Sequence, residues 1–115
     1  MPDDGFLEFV IDQLSRLPEV RHKRMFGGVG LYSGEHFFAV MDESRLYFKI
    51  DDETVGEYEA HGMKAFAPTP DMVLKTYYEV PVDVLEDDAE LCRWAERAVE
   101  AQIRTQAKKK RKKKK

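Results

Sequence analysis

Arg24-Met25-Phe26-Gly27-Gly28-Val29-Gly30-Leu31-Tyr32 is the stretch whose reading decides the fold. It sets three glycines within four residues among residues that otherwise favour a β-strand. Glycine weakens a strand, so it is kept there for a bulge, a sharp bend or a close backbone approach. The stretch runs into Ser33-Gly34-Glu35, which has turn chemistry, and then into a second strand-like run. That context excludes a phosphate-cradling loop. A dinucleotide fingerprint needs G-x-G-x-x-G between a strand and a helix, and position 33 is serine. No Gly-Lys-Ser/Thr follows either, so the P-loop pattern also fails. The pattern predicts one strand over about 21–32, bent or bulged at its glycines so that it curves around a helix.

Upstream, Phe6, Phe9, Val10, Leu14 and Leu17 recur at three- and four-residue spacing. They predict a helix from about Asp4 to Leu17, capped by Asp3 or Asp4 and stopped by Pro18. Downstream, His36 to Met41 and Arg45 to Ile50 read as strands around the turn Asp42-Glu43-Ser44. Connections this short favour an antiparallel meander. Asp51 to His61 reads as a second helix, with acids in its first turn and Gly62 at its end. Met63 to Ala67 is a short edge strand, Pro68-Thr69-Pro70 an irregular link, and Met72 to Val80 a strand ended by Pro81. A last helix runs from Asp87 or Asp88 to about Gln106, with Leu91, Trp94, Ala95, Ala98 and Val99 on its buried face. The order α-β-β-β-α-(β)-β-α predicts the α+β class: two layers, with helices on an antiparallel sheet of four or five strands.

The chain of 115 residues suits one domain over residues 1–106, followed by a tail over 107–115. Residues 108 to 115 are all Lys or Arg. Setting those eight aside leaves 11 basic and 22 acidic residues, so a body of net charge −11 carries a strongly basic end. Like charges at this density cannot pack, so the tail is expected to be disordered. Cys92 is the only cysteine, which forbids an internal disulfide. No run approaches the ~20 apolar residues of a membrane span, and the acidic start lacks signal-peptide features. A cytoplasmic location is the expectation.

Arg24-Met25-Phe26-Gly27-Gly28, Gly30 and Tyr32 resemble the opening signature of the TfoX (Sxy) N-terminal domain family. Tyr47-Phe48-Lys49 with Asp51, Gly62 with Phe66, Tyr78-Glu79-Val80-Pro81, and Leu91 with Trp94 are similar to its later landmarks, in order, over about Phe6 to Gln102. The resemblance implies an antiparallel α+β domain of the secretion-chaperone-like kind. It also implies a link to bacterial regulators of natural competence, which act with a cyclic-AMP-receptor-type activator at promoters. Those regulators carry a second, helical C-terminal domain, where this chain has its lysine run. The implied protein is therefore a stand-alone N-terminal domain, and the resemblance supplies no catalytic residues.

Candidate binding residues come from three places. Arg24 beside Gly27, Gly28 and Gly30 offers a guanidinium and backbone amides to an anion; the plainer reading is a surface ion pair and a shaped strand. Strand alternation places Phe38, Val40, Tyr47, Lys49, Lys75 and Tyr77 on an outer sheet face, opposite Phe37, Ala39, Met41, Leu46, Phe48 and Ile50. That face is too apolar for plain solvent contact, and Tyr32 is a further candidate as the end of the glycine stretch. Three readings fit it: a protein interface or homodimer, cover by the C-terminal helix, or base stacking between lysines. The tail Lys108, Lys109, Lys110, Arg111, Lys112, Lys113, Lys114 and Lys115 suits non-specific nucleic-acid contact, association with the acidic body, or no partner at all.

Catalysis is not indicated. His22, His36 and His61 lack metal-site spacing, and Cys92 reads as a small core hydrophobe. Asp51-Asp52-Glu53 and Glu86-Asp87-Asp88 each open a helix. The expectation is a non-catalytic regulatory or adaptor domain, without cofactor, metal or membrane contact. A homodimeric protein-interaction domain is the alternative, and a small enzyme comes third.

Overall fold

A computed structural model describes residues 4–25 and 28–113. The elements are α1 (Asp4–Gln13), β1 (Val20–Met25), β2 (Gly28–Ser33), β3 (His36–Asp42), β4 (Arg45–Lys49), α2 (Val55–Ala60), β5 (Ala65–Thr69), β6 (Met72–Glu79), α3 (Val82–Leu85) and α4 (Asp88–Lys113). The six strands form one antiparallel sheet in the order β1-β2-β3-β4-β6-β5. All four helices contribute to one core: Val10 and Leu14 from α1, Tyr58 from α2, Val84 from α3, and Leu91, Trp94, Ala95 and Ala98 from α4. They meet Val29, Leu31, Ala39, Met41, Leu46 and Phe48 of the sheet. The expected two-layer α+β architecture is what the chain adopts, with six strands rather than four or five.

The extra strand comes from the glycine stretch. Residues 21–32 are not one bent strand but two paired ones, β1 and β2, with Met25 opposite Gly28 and Arg24 opposite Val29. Phe26 and Gly27, which connect them, lie outside the described residues. The sequence hides this hairpin because Met-Phe-Gly-Gly lacks the Asn-Gly or Asp-Gly pair that usually marks a two-residue connection.

Four smaller differences have local causes. Helix α1 stops at Gln13, and Leu14 and Leu17 stay buried on a tight turn closed by Leu17 N–H donating to the Leu14 carbonyl at 2.9 Å. Helix α2 begins at Val55, because the Asp51 N–H donates to the Thr54 hydroxyl and the acids before it form a separate turn. Pro68 lies inside β5, which is tolerable because β5 is an edge strand. The single-turn helix α3 is too short to show a helical period.

Helix α4 does not end near Gln106. It runs 26 residues to Lys113, so the backbone is helical through six of the eight tail residues. Lysine and arginine are good helix formers, the preceding turns supply the nucleus, and cations at a helix C-terminus are favoured by its dipole. Lys114 and Lys115 lie outside the described residues.

One further irregularity decides which side chains share a face. Leu31 pairs with Ala39, but the next residue, Tyr32, pairs with Phe37. Phe38 is thus an extra residue in β3, a β-bulge, and alternation is reset around it. The assignment of Phe38 to the outer face and Phe37 to the inner is reversed. Phe38 is fully buried in the core, its ring 5.7 Å from that of Phe48. Phe37 is on the other side, 5.2 Å from Tyr32 and 5.8 Å from Tyr77.

Candidate functional site

The helices contribute their core side chains to one face of the sheet, which leaves the other as the outer face. On that outer face the strands bring together a row of side chains. Tyr32 of β2, Phe37 of β3 and Tyr77 of β6 pack in succession as tilted rings, and the Lys49 ammonium of β4 lies 5.3 Å from the centre of the Tyr77 ring. Arg21 of β1 pairs with Tyr32 and extends the row at its edge. Gly30 shares this face. A Cβ there would come within 2.6 Å of Met25 Cε and 2.7 Å of Phe37 Cε1, so its bare backbone is what lets those side chains close over β2. Along the sheet, Tyr47 packs 4.4 Å from Phe66, and a cleft lined in part by Arg45, Tyr47, Lys64 and Glu79 opens beside it. Lys75 is exposed on β6.

Lys49 is the unusual member. The residue is only 7% exposed. Among the described residues it has no ion pair or hydrogen bond; its one short-range partner is the Tyr77 ring. Burial, and then the like charge of Lys109 on α4, hold its ammonium below the ordinary lysine range, partly offset by Asp51. Asp51 is itself engaged. The Arg104 guanidinium donates to it at 2.6 and 3.1 Å and keeps its carboxyl below the usual carboxylate range. This pair fixes α4 at the point where it leaves the core and directs Lys109 towards the Lys49 end of the outer face. The Tyr77 phenol is pushed up to about 12 by burial and then by Tyr32, so it stays protonated at neutral pH.

The other candidate residues fall elsewhere. Arg24 is exposed on the edge strand β1 opposite core-facing Val29, so it points away from the aromatic row. Gly28 pairs with Met25 at the β1–β2 end of the sheet. Gly27 lies outside the described residues. Lys108 and Lys109 are exposed on α4, and Lys110, Arg111, Lys112 and Lys113 continue the helix backbone. Phe37, Met25 and Arg21 belong to the outer face but escape simple alternation, which the bulge and the hairpin both break.

Two of the groups considered for catalysis, Cys92 and Asp87, have structural partners, whereas His36 Nδ1 is buried without a hydrogen-bond partner. Cys92 is buried, its Sγ 3.4 Å from the Gln13 carbonyl oxygen. Asp87 accepts the Glu90 N–H and so caps α4. Among the described residues, no group of three or more His, Cys, Asp or Glu side chains is placed to hold a metal ion. No helix there is long and apolar enough to cross a membrane.

Residues 12–102 match the model of the TfoX N-terminal domain. The chain belongs to the TfoX N-terminal domain family. The matched span takes in the glycine stretch, all six strands and α4 through Gln102, and it includes every residue of the aromatic row. The basic end of α4 lies beyond it. No curated protein matches the chain. Membership of the TfoX N-terminal family points to a regulatory or adaptor domain.

Proposed function

We propose that this domain is a non-catalytic adaptor of transcription or competence control that makes weak, sequence-independent contact with nucleic acid through the basic end of α4. The observation that carries the reading is the continuous helix from the core to Lys113. It joins a run of cations to a body of net charge −11 on a semi-rigid arm. An acidic body is repelled by DNA or RNA, so the arm holds the contact at a distance from the sheet, where a protein partner has room. Such binding works by release of counterions and is steeply salt-dependent.

Removing residues 108–115 is expected to abolish binding to duplex DNA while leaving the body folded, with a circular dichroism loss no larger than the removed helical turns account for. For the full chain the log–log dependence of affinity on salt is expected to slope at about −4 to −7, the steeper value if all eight cations meet phosphates. Equal binding by the shortened chain at every salt concentration would show that the contact lies elsewhere.

A homodimeric or protein-docking role is the second reading, favoured by the tip of the β5–β6 hairpin. Met72, Val73 and Leu74 stand 51%, 52% and 37% exposed in sequence at the sheet edge. Contiguous apolar side chains on an edge hairpin invite pairing with another surface. Sedimentation velocity across a concentration series is expected to show self-association that Val73→Glu removes. A monomer at all concentrations would leave the tip to a different protein or to none.

A further inference from the structure

Lysine is rarely buried unless paired, because the ammonium loses water and needs compensation. Lys49 is buried to 7% exposure, and among the described residues no carboxylate forms a salt bridge with it. The nearest carboxylate to act on it, Asp51, is held by two hydrogen bonds from Arg104, and the next charge, Lys109, is of the same sign. An ammonium left without a salt bridge 5.3 Å from the Tyr77 ring, at the end of a row of aromatic rings, leaves a place for an anion. The rings are set out in a row, with Tyr32 5.2 Å from Phe37 and Phe37 5.8 Å from Tyr77, all partly buried. Arg21 stands at the far end of the row, paired with Tyr32.

We propose that Lys49 anchors a binding site for a nucleoside phosphate on the outer sheet face, with Lys49 taking the phosphate and the rings of Tyr32 and Phe37 taking the base. An anion joined to a planar ring system meets both halves of the site; an isolated phosphate meets one. The ligand is a free mononucleotide or one unit of a single strand, since both present the same chemistry. This inference deepens the nucleic-acid reading above, yet its core is Lys49 and not the basic arm, so the two fail separately.

The test uses the full chain, adenosine 5′-monophosphate measured by calorimetry, and a labelled oligothymidylate measured by anisotropy. Lys49→Met keeps the buried stem and removes the charge; Lys49→Arg keeps the charge; the chain lacking residues 108–115 removes the arm. Loss of one charge-assisted contact is expected to weaken binding by Lys49→Met on the order of ten-fold or more, with Lys49→Arg close to wild type. The shortened chain is expected to lose duplex binding but keep most of its mononucleotide binding. Binding of the oligonucleotide alone assigns the source to nucleic acid, and equal binding of the mononucleotide assigns it to the free ligand; both support the site. Wild-type affinity in a folded Lys49→Met protein overturns the site, even if the arm still binds DNA. So does a wild-type chain that binds neither probe, or one that instead binds a glutamate-rich peptide through Lys49, which would make the face a protein interface.

Discussion

Gly28→Ala is expected to lower the unfolding free energy by about 3 kcal/mol, the upper part of the range for forced overpacking. A Cβ at Gly28 would be driven into the backbone carbonyl oxygen of Met41, and the Met41 carbonyl carbon lies 3.4 Å away. Backbone in the adjoining strand cannot swing aside as a side chain can. Relief would require β2 and β3 to separate where Val29 pairs with Met41, and both residues are in the core. The glycine here is explained by what lies against it, without appeal to an unusual backbone angle. Gly30→Ala provides the contrast. Its Cβ would meet Met25 Cε and Phe37 Cε1, ends of side chains that can rotate. A cost of about 1–2 kcal/mol is expected, with local loss of order in the aromatic row. Gly56 in α2 has nothing within 4 Å, so Gly56→Ala is expected to stabilise by about 0.5–1 kcal/mol through helix propensity. Urea unfolding of the three variants checks the ranking. A Gly28→Ala protein no less stable than Gly30→Ala would mean that the β2–β3 contact yields easily.

Much of this fold is legible in the residues because local preference and burial agree. The strand from Met72 to Glu79 and the cap at Asp87 follow from β-formers and from acids at a helix start. The buried face of α4 follows from the spacing of Leu91, Trp94, Ala95 and Ala98. Prediction fails where one local rule has two outcomes. The glycines mark an irregularity between residues 21 and 32, but a bend and a hairpin are both compatible with a glycine at position 28. Charge repulsion alone argues against structure in the lysine run, while helix propensity and the dipole favour the extension of α4 to Lys113. The candidate site was legible in part. Alternation placed Tyr47, Lys49, Lys75 and Tyr77 on one face, and β4 and β6 do pair Lys49 with Tyr77. Nothing in the order of residues shows that Arg104 occupies Asp51, or that Lys109 is brought towards Lys49, since both depend on how α4 passes the end of β4.

The exchange of Phe37 and Phe38 has the sharpest energetic consequence. The two residues are chemically identical neighbours, and only the bulge distinguishes them. Phe38 has no exposed surface and packs against Phe48 beneath the helices, where a truncated side chain leaves a cavity. Phe38→Ala is therefore expected to cost about 4 kcal/mol, the middle of the range for a buried phenylalanine. Phe37 is partly exposed between Tyr32 and Tyr77, where solvent can reach the space that a smaller side chain leaves. Phe37→Ala is expected to cost about 1–2 kcal/mol, mostly the lost ring contacts and partial burial. Unbroken alternation would reverse the order, with Phe37 the costly position, so chemical unfolding of these two variants decides directly between a bulged and a regular β3. The same pair also separates stability from binding. If the outer face holds a nucleoside phosphate, Phe37→Ala weakens binding more than it weakens the fold, while Phe38→Ala acts on the fold first and affects the ligand only through it.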